Sequence, residues 1–176
     1  MSGVGAPSWE GCVLDAASAL DAARASGVTL GCAESCTGGF VAGALTAVAG
    51  SSDVMRGGVV SYAIPVKHEV LGVSSEVLDE PGVGAVSGAC ATQMAEGARR
   101  VLGCDVAVSV TGIAGPGGAE PGKPVGTVWM GLATPLGARA ERFLFPGARD
   151  EVRRSAVAAA LALLREGCVE ASRAGR

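Results

Sequence analysis

A serine at the start of a short glycine-rich turn is the first feature of this sequence that suggests chemistry. Residues 33–39 read AESCTGG and place Ser35 at the end of a predicted strand, just before a predicted helix. Backbone N–H groups and the positive end of a helix dipole can stabilise a phosphate there, or the oxyanion of an attacked amide. The same residues also fit a simple helix cap, with the glycines needed for packing. The turn supplies these candidate substrate-binding residues: Cys36, Thr37, Gly38 and Gly39.

A serine nucleophile needs a base, and two adjacent residues can serve. His68 is the only histidine, so a Ser-His-acid triad would depend on it alone. Lys67 is the better candidate, because burial or nearby positive charge can lower the pKa of a lysine and free its amine. Tyr62, the only tyrosine, lies five residues before Lys67, and its phenol could relay a proton or orient the amine. A solvated lysine and a half-buried strand tyrosine remain the alternatives.

A second glycine-rich turn follows another predicted strand, because residues 109–118 read SVTGIAGPGG. Ligands of open α/β sheets bind beyond the carboxyl ends of strands, so this turn and Ser35 should face one crevice, unless the turn is an ordinary loop. Neither turn matches the G-x-G-x-x-G or G-x-x-x-x-G-K-[ST] motif, which argues against a Rossmann site and a P-loop. The turn and the lysine beyond it add these candidate substrate-binding residues: Thr111, Gly112, Gly115, Gly117, Gly118 and Lys123.

The cysteines suggest core packing rather than a metal site. Six cysteines are scattered without a C-x-x-C pair, and a single histidine completes no recognisable zinc ligand set. We therefore expect reduced, small core residues, no metal and no cofactor. Cys36 is the exception to weigh, because a thiolate at a helix N-terminus can be activated as a nucleophile in place of Ser35.

Alternating helix and strand patterns must position these residues. Predicted helices cover residues 12–25, 40–49 and 87–101, a short segment that begins near Pro65 and carries Lys67, and a final segment from about Asp150. Predicted strands cover residues 28–33, 58–63, 105–110, 125–133 and 139–145. The order predicts a single α/β domain over residues 1–176, with its core at about 12–166, built as a three-layer α/β/α sandwich around a mixed, largely parallel sheet.

Composition narrows the class of partner. A net charge of −3 without a basic run argues against nucleic-acid binding as the main role. The longest apolar run, residues 156–164, is too short to cross a membrane. Residues 1–10 lack a secretory signal pattern, which predicts a cytoplasmic protein. The expected partner is therefore a small molecule.

Several motifs together resemble the CinA C-terminal domain family. They are AESCTGG at 33–39, GVVSY at 58–62, Lys67 followed by LGV at 71–73, GAVS at 84–87, VTGIAGPGG at 110–118 and KPVGTVW at 123–129. Their order and spacing agree from about Leu14 to Leu164. The sequence departs from the usual pattern at residues 63–66 and 79–83, near the expected rim of the pocket.

The resemblance implies a stand-alone nicotinamide-nucleotide amidase, which converts nicotinamide mononucleotide to nicotinate mononucleotide and ammonia. The family's serine falls on Ser35, its lysine on Lys67 and its tyrosine on Tyr62, and Thr111 and the glycine turn after it fall in its substrate pocket. The hypothesis is that neutral Lys67 takes the proton of Ser35 as an acyl-enzyme forms. The alternative is a catalytically weak, nucleotide-binding regulatory or competence-linked interaction module. A homo-oligomer is left open.

Overall fold

The computed structural model describes residues 5–174, which form alternating helices and strands. The helices are α1 (Trp9–Ser26), α2 (Phe40–Thr46), α3 (Ile64–Glu69), α4 (Ser75–Asp79), α5 (Gly88–Leu102) and α6 (Arg149–Ala174). The strands are β1 (Leu30–Glu34), β2 (Met55–Val60), β3 (Val106–Gly112), β4 (Thr127–Thr134) and β5 (Gly137–Leu144). None of the helices in this part of the chain is long and apolar enough to cross a membrane.

The five strands form one sheet in the order β2-β1-β3-β4-β5. Strand β1 pairs in parallel with β2 and β3, whereas β4 is antiparallel to both β3 and β5. Four of the five strands therefore run in the same direction, as the predicted mixed, largely parallel sheet requires. The carboxyl ends of β1, β2 and β3 consequently meet at one edge of the sheet, where the loops after Glu34, Val60 and Gly112 begin.

Helices cover both faces of the sheet, which confirms the predicted three layers. On one face α1, α2 and α6 pack over a large apolar cluster that includes Leu20, Val108 and Leu161. On the other face α5 packs over a smaller cluster that includes Met94 and Ala107. The five residues are fully buried, so β3 contributes to both cores and lies at the centre of the molecule.

Strand β3 is longer than its sequence predicts. The apolar run suggested an end at residue 110, but Thr111 pairs with Trp129 and Gly112 pairs with Val128 on β4. A Cβ atom on Gly112 would lie 2.6 Å from the carbonyl oxygen of Thr127, so the close pairing requires glycine. The antiparallel partner extends the strand, and a partner nearly 20 residues later is invisible to a local pattern.

Strand β2 is displaced relative to its prediction, since it begins at Met55 and ends at Val60 rather than covering residues 58–63. A Cβ atom on Gly58 would lie 2.8 Å from Cys32 Sγ and 2.9 Å from Ala42 Cβ, so this glycine lets α2 and β1 approach the strand closely. Because β2 ends at Val60, residues 61–63 form a loop that leads to the helix carrying Lys67. Helix α2 is also three residues shorter than predicted, and helix α4 was not predicted at all.

Candidate active site

Ser35 occupies the first position after strand β1. Its backbone N–H donates to Val110 O on β3 at 2.9 Å, and its carbonyl accepts from the N–H of Gly38 at 3.1 Å. The first bond continues the sheet for one residue beyond β1, and the second closes a tight turn. The serine is therefore held at the carboxyl edge of the sheet, at the point where ligands collect in such folds.

Lys67 reaches Ser35 from helix α3, which follows the end of β2. Its Nζ lies 2.9 Å from Ser35 Oγ, 2.5 Å from Ser61 O and 3.4 Å from Tyr62 O. Pro65 stands in the first turn of α3, where its missing N–H costs no hydrogen bond. The structure thus brings together the serine and the lysine that the sequence selected.

The surroundings of Lys67 favour a neutral amine. The residue is 1% exposed, and burial lowers its pKa below the ordinary value of 10.5. Within residues 5–174 it forms no ion pair with a carboxylate. A neutral amine can donate its two protons to the carbonyls of Ser61 and Tyr62 and accept the Ser35 hydroxyl proton with its lone pair. The arrangement suits a general base.

Glu34 supports the turn that carries Ser35, a role that the sequence analysis missed. Its carboxylate is 1% exposed and accepts hydrogen bonds from the N–H groups of Gly39 (3.0 Å), Val41 (3.1 Å) and Ala42 (2.8 Å). Carboxylates commonly satisfy the free N–H groups at the start of a helix. The signal was hidden because Glu34 belongs to β1, whereas caps are sought in the residue directly before a helix.

Tyr62 lies at the rim of the site and does not bring its phenol to Lys67. The side chain is 61% exposed, and Arg149 Nη2 lies 3.2 Å from its hydroxyl oxygen. Only the main-chain carbonyl of Tyr62 faces the lysine amine. The geometry therefore associates the phenol with Arg149 rather than with the proton of Ser35.

A cleft of about 280 Å³ opens beside Ser35, close to the lower end of the roughly 300–1,000 Å³ usual for small-molecule sites. Arg149 contributes the positive charge of its lining, and Glu120 the negative charge. The sequence-selected residues that line it are Ser35, Cys36, Tyr62, Gly112, Gly115, Gly117 and Gly118. The two glycine-rich turns therefore face one crevice.

Five of the candidate substrate-binding residues do not line this cleft, and Lys67 lies behind Ser35 rather than in the lining. The Thr111 hydroxyl is buried and donates to Ala85 O at 2.6 Å, while Lys123 Nζ donates to Val83 O at 2.7 Å and to Glu120 at 2.9 Å. Both side chains thus tie loops together. The other three residues, Thr37, Gly38 and Gly39, belong to the Ser35 turn. Thr37 is buried, and the N–H groups of Gly38 and Gly39 donate hydrogen bonds within the turn and to Glu34.

Two arginines of α6 reach the site although the sequence analysis treated neither as functional. Arg149 donates to Gly115 O at 2.8 Å as well as contacting Tyr62. Arg153 donates to the main chain of the Ser35 turn. Their only sequence signal is a basic cluster at the start of the final helix, which is typical of a solvated helix face.

The other candidate catalytic groups, Cys36 and His68, are less suited to act as a nucleophile or as a base for Ser35. Burial raises the pKa of the Cys36 thiol to about 11, which leaves little thiolate at neutral pH. His68 is exposed, and its Nδ1 lies 2.8 Å from Val73 O rather than near Ser35. Among residues 5–174, no three His, Cys, Asp or Glu side chains lie close enough to share a metal ion.

A second cavity of about 280 Å³ lies at the opposite edge of the sheet, near the β4–β5 turn. The arginines of its lining, Arg99 and Arg100, donate to the carbonyls of Asp105 and Leu71. None of the residues selected from the sequence lines this cavity. The cleft at Ser35 is therefore the candidate active site.

Fold and site define the protein as a three-layer α/β domain with a buried serine–lysine pair in a cleft at the carboxyl ends of its parallel strands. The family model of the CinA C-terminal domain matches residues 15–168. The chain therefore belongs to the CinA C-terminal domain family, which confirms the resemblance in the motifs.

Individual relatives agree with this assignment. The chain is 51% identical over 148 residues to a CinA-like protein of Synechococcus sp. (strain RCC307), covering 83% of this chain and 35% of that protein. It resembles the crystal structure of competence damage-inducible protein A from Klebsiella pneumoniae with a TM-score of 0.83 and 39% identity, covering 88% of this chain and 95% of that one. For competence/damage inducible protein CihA from Agrobacterium tumefaciens the TM-score is also 0.83, with 39% identity and coverage of 93% and 97%.

The chain spans about a third of the length of the curated relatives that it matches. It spans nearly the whole length of the solved structures just described. The shared part is thus a domain that occurs both within longer proteins and in chains of about this size.

Proposed function

We propose that this chain is an amidohydrolase that converts nicotinamide mononucleotide to nicotinate mononucleotide and ammonia. Ser35 is the nucleophile and Lys67 is its base. The observation that carries the proposal is the 2.9 Å contact between Lys67 Nζ and Ser35 Oγ, made by a lysine that is 1% exposed. A buried amine beside a serine hydroxyl is the arrangement of Ser-Lys hydrolases.

Acylation is the first half of the proposed reaction. Lys67 accepts the hydroxyl proton while Ser35 Oγ forms a bond to the carboxamide carbon, whose oxygen becomes an oxyanion. The backbone N–H of Cys36 is the candidate oxyanion donor, since Cys36 lines the cleft, Thr37 is buried and the Gly38 N–H already donates to Ser35 O. Protonation of the amide nitrogen by the Lys67 ammonium then releases ammonia and leaves an acyl-enzyme.

Hydrolysis completes the cycle. The neutral Lys67 amine takes a proton from a water molecule that attacks the acyl carbon, and return of that proton to Ser35 Oγ releases the acid. No other reactant is needed.

The remainder of the substrate has matching groups in the cleft. Arg149 is the candidate phosphate contact, because its guanidinium lines the cleft beside Tyr62. The glycines at positions 115, 117 and 118 let a ligand approach the opposite wall closely. The cytoplasm is the proposed location, supported by cysteines that are all unpaired in the described part of the chain.

The test is ammonia release from nicotinamide mononucleotide by the purified chain, with Ser35→Ala as the matched variant. We expect steady release by the wild type and none above background by folded Ser35→Ala. Calorimetric titration with the same nucleotide separates the alternative, because a regulatory module would bind the nucleotide without releasing ammonia. That result would overturn the proposed activity, whereas normal turnover by Ser35→Ala would overturn Ser35 as the nucleophile.

A further inference from the structure

Arg153 of helix α6 makes two hydrogen bonds to the main chain of the Ser35 turn. Its Nε donates to Cys36 O at 3.1 Å and its Nη2 donates to Thr37 O at 2.9 Å. The guanidinium carbon also lies 3.9 Å from the centre of the Phe40 ring. A planar group with a fixed fork of donors, stacked on an aromatic ring, holds two successive carbonyls in one orientation.

The two carbonyls determine where the neighbouring N–H groups point. In a trans peptide unit the C=O and the following N–H point in opposite directions. With Cys36 O directed toward α6, the N–H of Thr37 must point away from α6. Among residues 5–174 this N–H donates to no other residue, and the N–H of Cys36 likewise finds no partner in another residue.

The Ser35 carbonyl depends on the second peptide unit that Arg153 holds, because Thr37 O and the Gly38 N–H belong to one unit. It accepts from the N–H of Gly38, which orients the Cys36 N–H that belongs to the same peptide unit. Of these two unpaired N–H groups only that of Cys36 belongs to a residue that lines the cleft, because Thr37 is fully buried. Arg153 is the side chain that holds the turn around it, through Cys36 O and Thr37 O.

The positive charge of Arg153 is not paired with a carboxylate in the described part of the chain. The side chain forms no ion pair within the described chain, whereas its neighbour Arg154 pairs with Asp150 at 2.8 Å. Hydrogen bonds from a charged donor are stronger than those between neutral groups, so Arg153 holds the carbonyls of Cys36 and Thr37 strongly.

We propose that Arg153 is a positioning residue that holds the Ser35 turn so that the Cys36 N–H meets the oxyanion formed when Ser35 attacks a substrate. The inference rests on the proposed function, because it takes Ser35 as the nucleophile. It adds that the last helix of the domain orients the oxyanion donor of a turn more than a hundred residues earlier in the chain.

The test compares Arg153→Lys with Arg154→Lys, the adjacent conservative change outside the turn. Lysine keeps the charge but cannot bond both carbonyls through a planar fork. We expect kcat of Arg153→Lys for nicotinamide mononucleotide to fall about 10- to 100-fold, somewhat less than the loss of a whole oxyanion donor. KM should stay within about threefold and the midpoint of the pH–rate profile should not move, because neither the nucleotide contacts nor Lys67 are altered. Arg154→Lys should keep wild-type kcat.

A fluorophosphonate probe separates failure of this inference from failure of the proposed substrate. In that reaction a bond forms between Ser35 Oγ and phosphorus, fluoride leaves with the electrons of the P–F bond, and Lys67 accepts the serine proton. The phosphoryl oxygen needs the same donor as an amide oxyanion. We expect wild type and Arg154→Lys to be labelled at equal rates, Arg153→Lys at least about tenfold more slowly, and Ser35→Ala not at all.

Each outcome has a distinct meaning. Slow labelling of Arg153→Lys in a chain that releases no ammonia from nicotinamide mononucleotide would support the inference and reject the substrate. Labelling and kcat equal to wild type would overturn the inference and leave the amidase intact. A wild type that neither turns over nor reacts with the probe would overturn both. Arg153→Gln, which can still bond one carbonyl, replaces the lysine variant if thermal unfolding shows that the latter does not fold.

Discussion

At the residue scale, the protonation state of the Lys67 amine decides whether Ser35 can lose its proton. Burial lowers the lysine pKa, and the main-chain carbonyls of Ser61 and Tyr62 hold the amine without supplying a negative charge. A carboxylate in their place would favour the ammonium form and raise the pKa. The site thus uses neutral acceptors where an ordinary buried lysine would need an ion pair.

Replacement of Lys67 by arginine should remove turnover while keeping the positive charge. Arginine does not release its proton in the accessible pH range, so we expect kcat to fall by at least about 100-fold. Steady-state kinetics with a thermal unfolding control provides the measurement. A near-normal kcat with a raised KM would instead make Lys67 a phosphate contact.

The pH dependence of the wild type follows from the same lysine. Below its folded-state pKa the amine is protonated and inactive, and above that pKa it is a base, so kcat/KM should rise with pH. Because burial lowers this pKa, the midpoint should lie below 10.5. Measurement of kcat/KM from about pH 6 to about pH 10 decides the point. A profile that stays flat across this range would argue against a lysine base.

Tyr62→Phe tests whether the phenol moves a proton or only holds Arg149. The hydroxyl contacts Arg149 and not Lys67, so its loss should loosen the arginine. We expect KM for nicotinamide mononucleotide to rise several-fold, on the order of 1 kcal/mol for one hydrogen bond, with kcat within about threefold of wild type. A large loss of kcat at unchanged KM would restore the phenol to the proton-transfer chemistry.

At the scale of elements, β1 and α2 are joined by a buried carboxylate rather than by a cap directly before the helix. Glu34 accepts the N–H groups of Gly39, Val41 and Ala42 while its own main chain pairs with both neighbouring strands. The turn that carries Ser35 is thereby closed between two anchored ends. This is the reason why a short helix of seven residues can present a defined turn to the cleft.

Glu34→Gln should destabilise the fold and loosen this turn. The amide has one acceptor oxygen, and its NH₂ group would oppose backbone donors that are now bonded. We expect a loss of about 1–3 kcal/mol in the free energy of unfolding, measured by urea denaturation. The control is Glu76→Gln, an exposed carboxylate of α4, which should change stability by less than about 0.5 kcal/mol. Equal stability of the two variants would contradict the role given to Glu34.

At the scale of the whole molecule, the core that supports α6 is distinct from the cleft that α6 helps to build. Leu161 is fully buried between the helices and the sheet, two turns beyond Arg153 on the same helix. Helix α6 therefore packs its middle in the core and brings its first turns to the active site. Stability and chemistry can be separated along it.

Leu161→Ala should lower stability without altering the chemistry. Truncation of a buried leucine leaves a cavity and costs about 2–5 kcal/mol, whereas kcat measured well below the unfolding temperature should stay near wild type. The matched control is Leu14→Ala, whose side chain is 71% exposed and should contribute less than about 0.5 kcal/mol. Urea unfolding of both variants gives the comparison, and a Leu161→Ala protein as stable as Leu14→Ala would contradict the core assignment.

Local sequence was sufficient for the parts of the site that depend on residue type and on the alternation of strands and turns. Ser35, Lys67 and the glycines after β3 were selected in this way, because a nucleophile, a basic amine and small turn residues are visible in a short window. The layered α/β fold followed from the same alternation, since each element must bury its apolar face. The motifs also sufficed to indicate the family.

Only the tertiary structure decided which groups meet. Arg149 and Arg153 reach residues 34 to 117 positions earlier in the chain, and that contact depends on how α6 packs against the sheet. The same packing places the Tyr62 phenol beside Arg149. The side chains of Thr111 and Lys123 likewise donate hydrogen bonds to carbonyls of loops that are distant in sequence. The lowered pKa of Lys67 likewise arises from burial by distant elements. Solvent exclusion and long-range hydrogen bonds are properties of the folded chain, so no local pattern contains them.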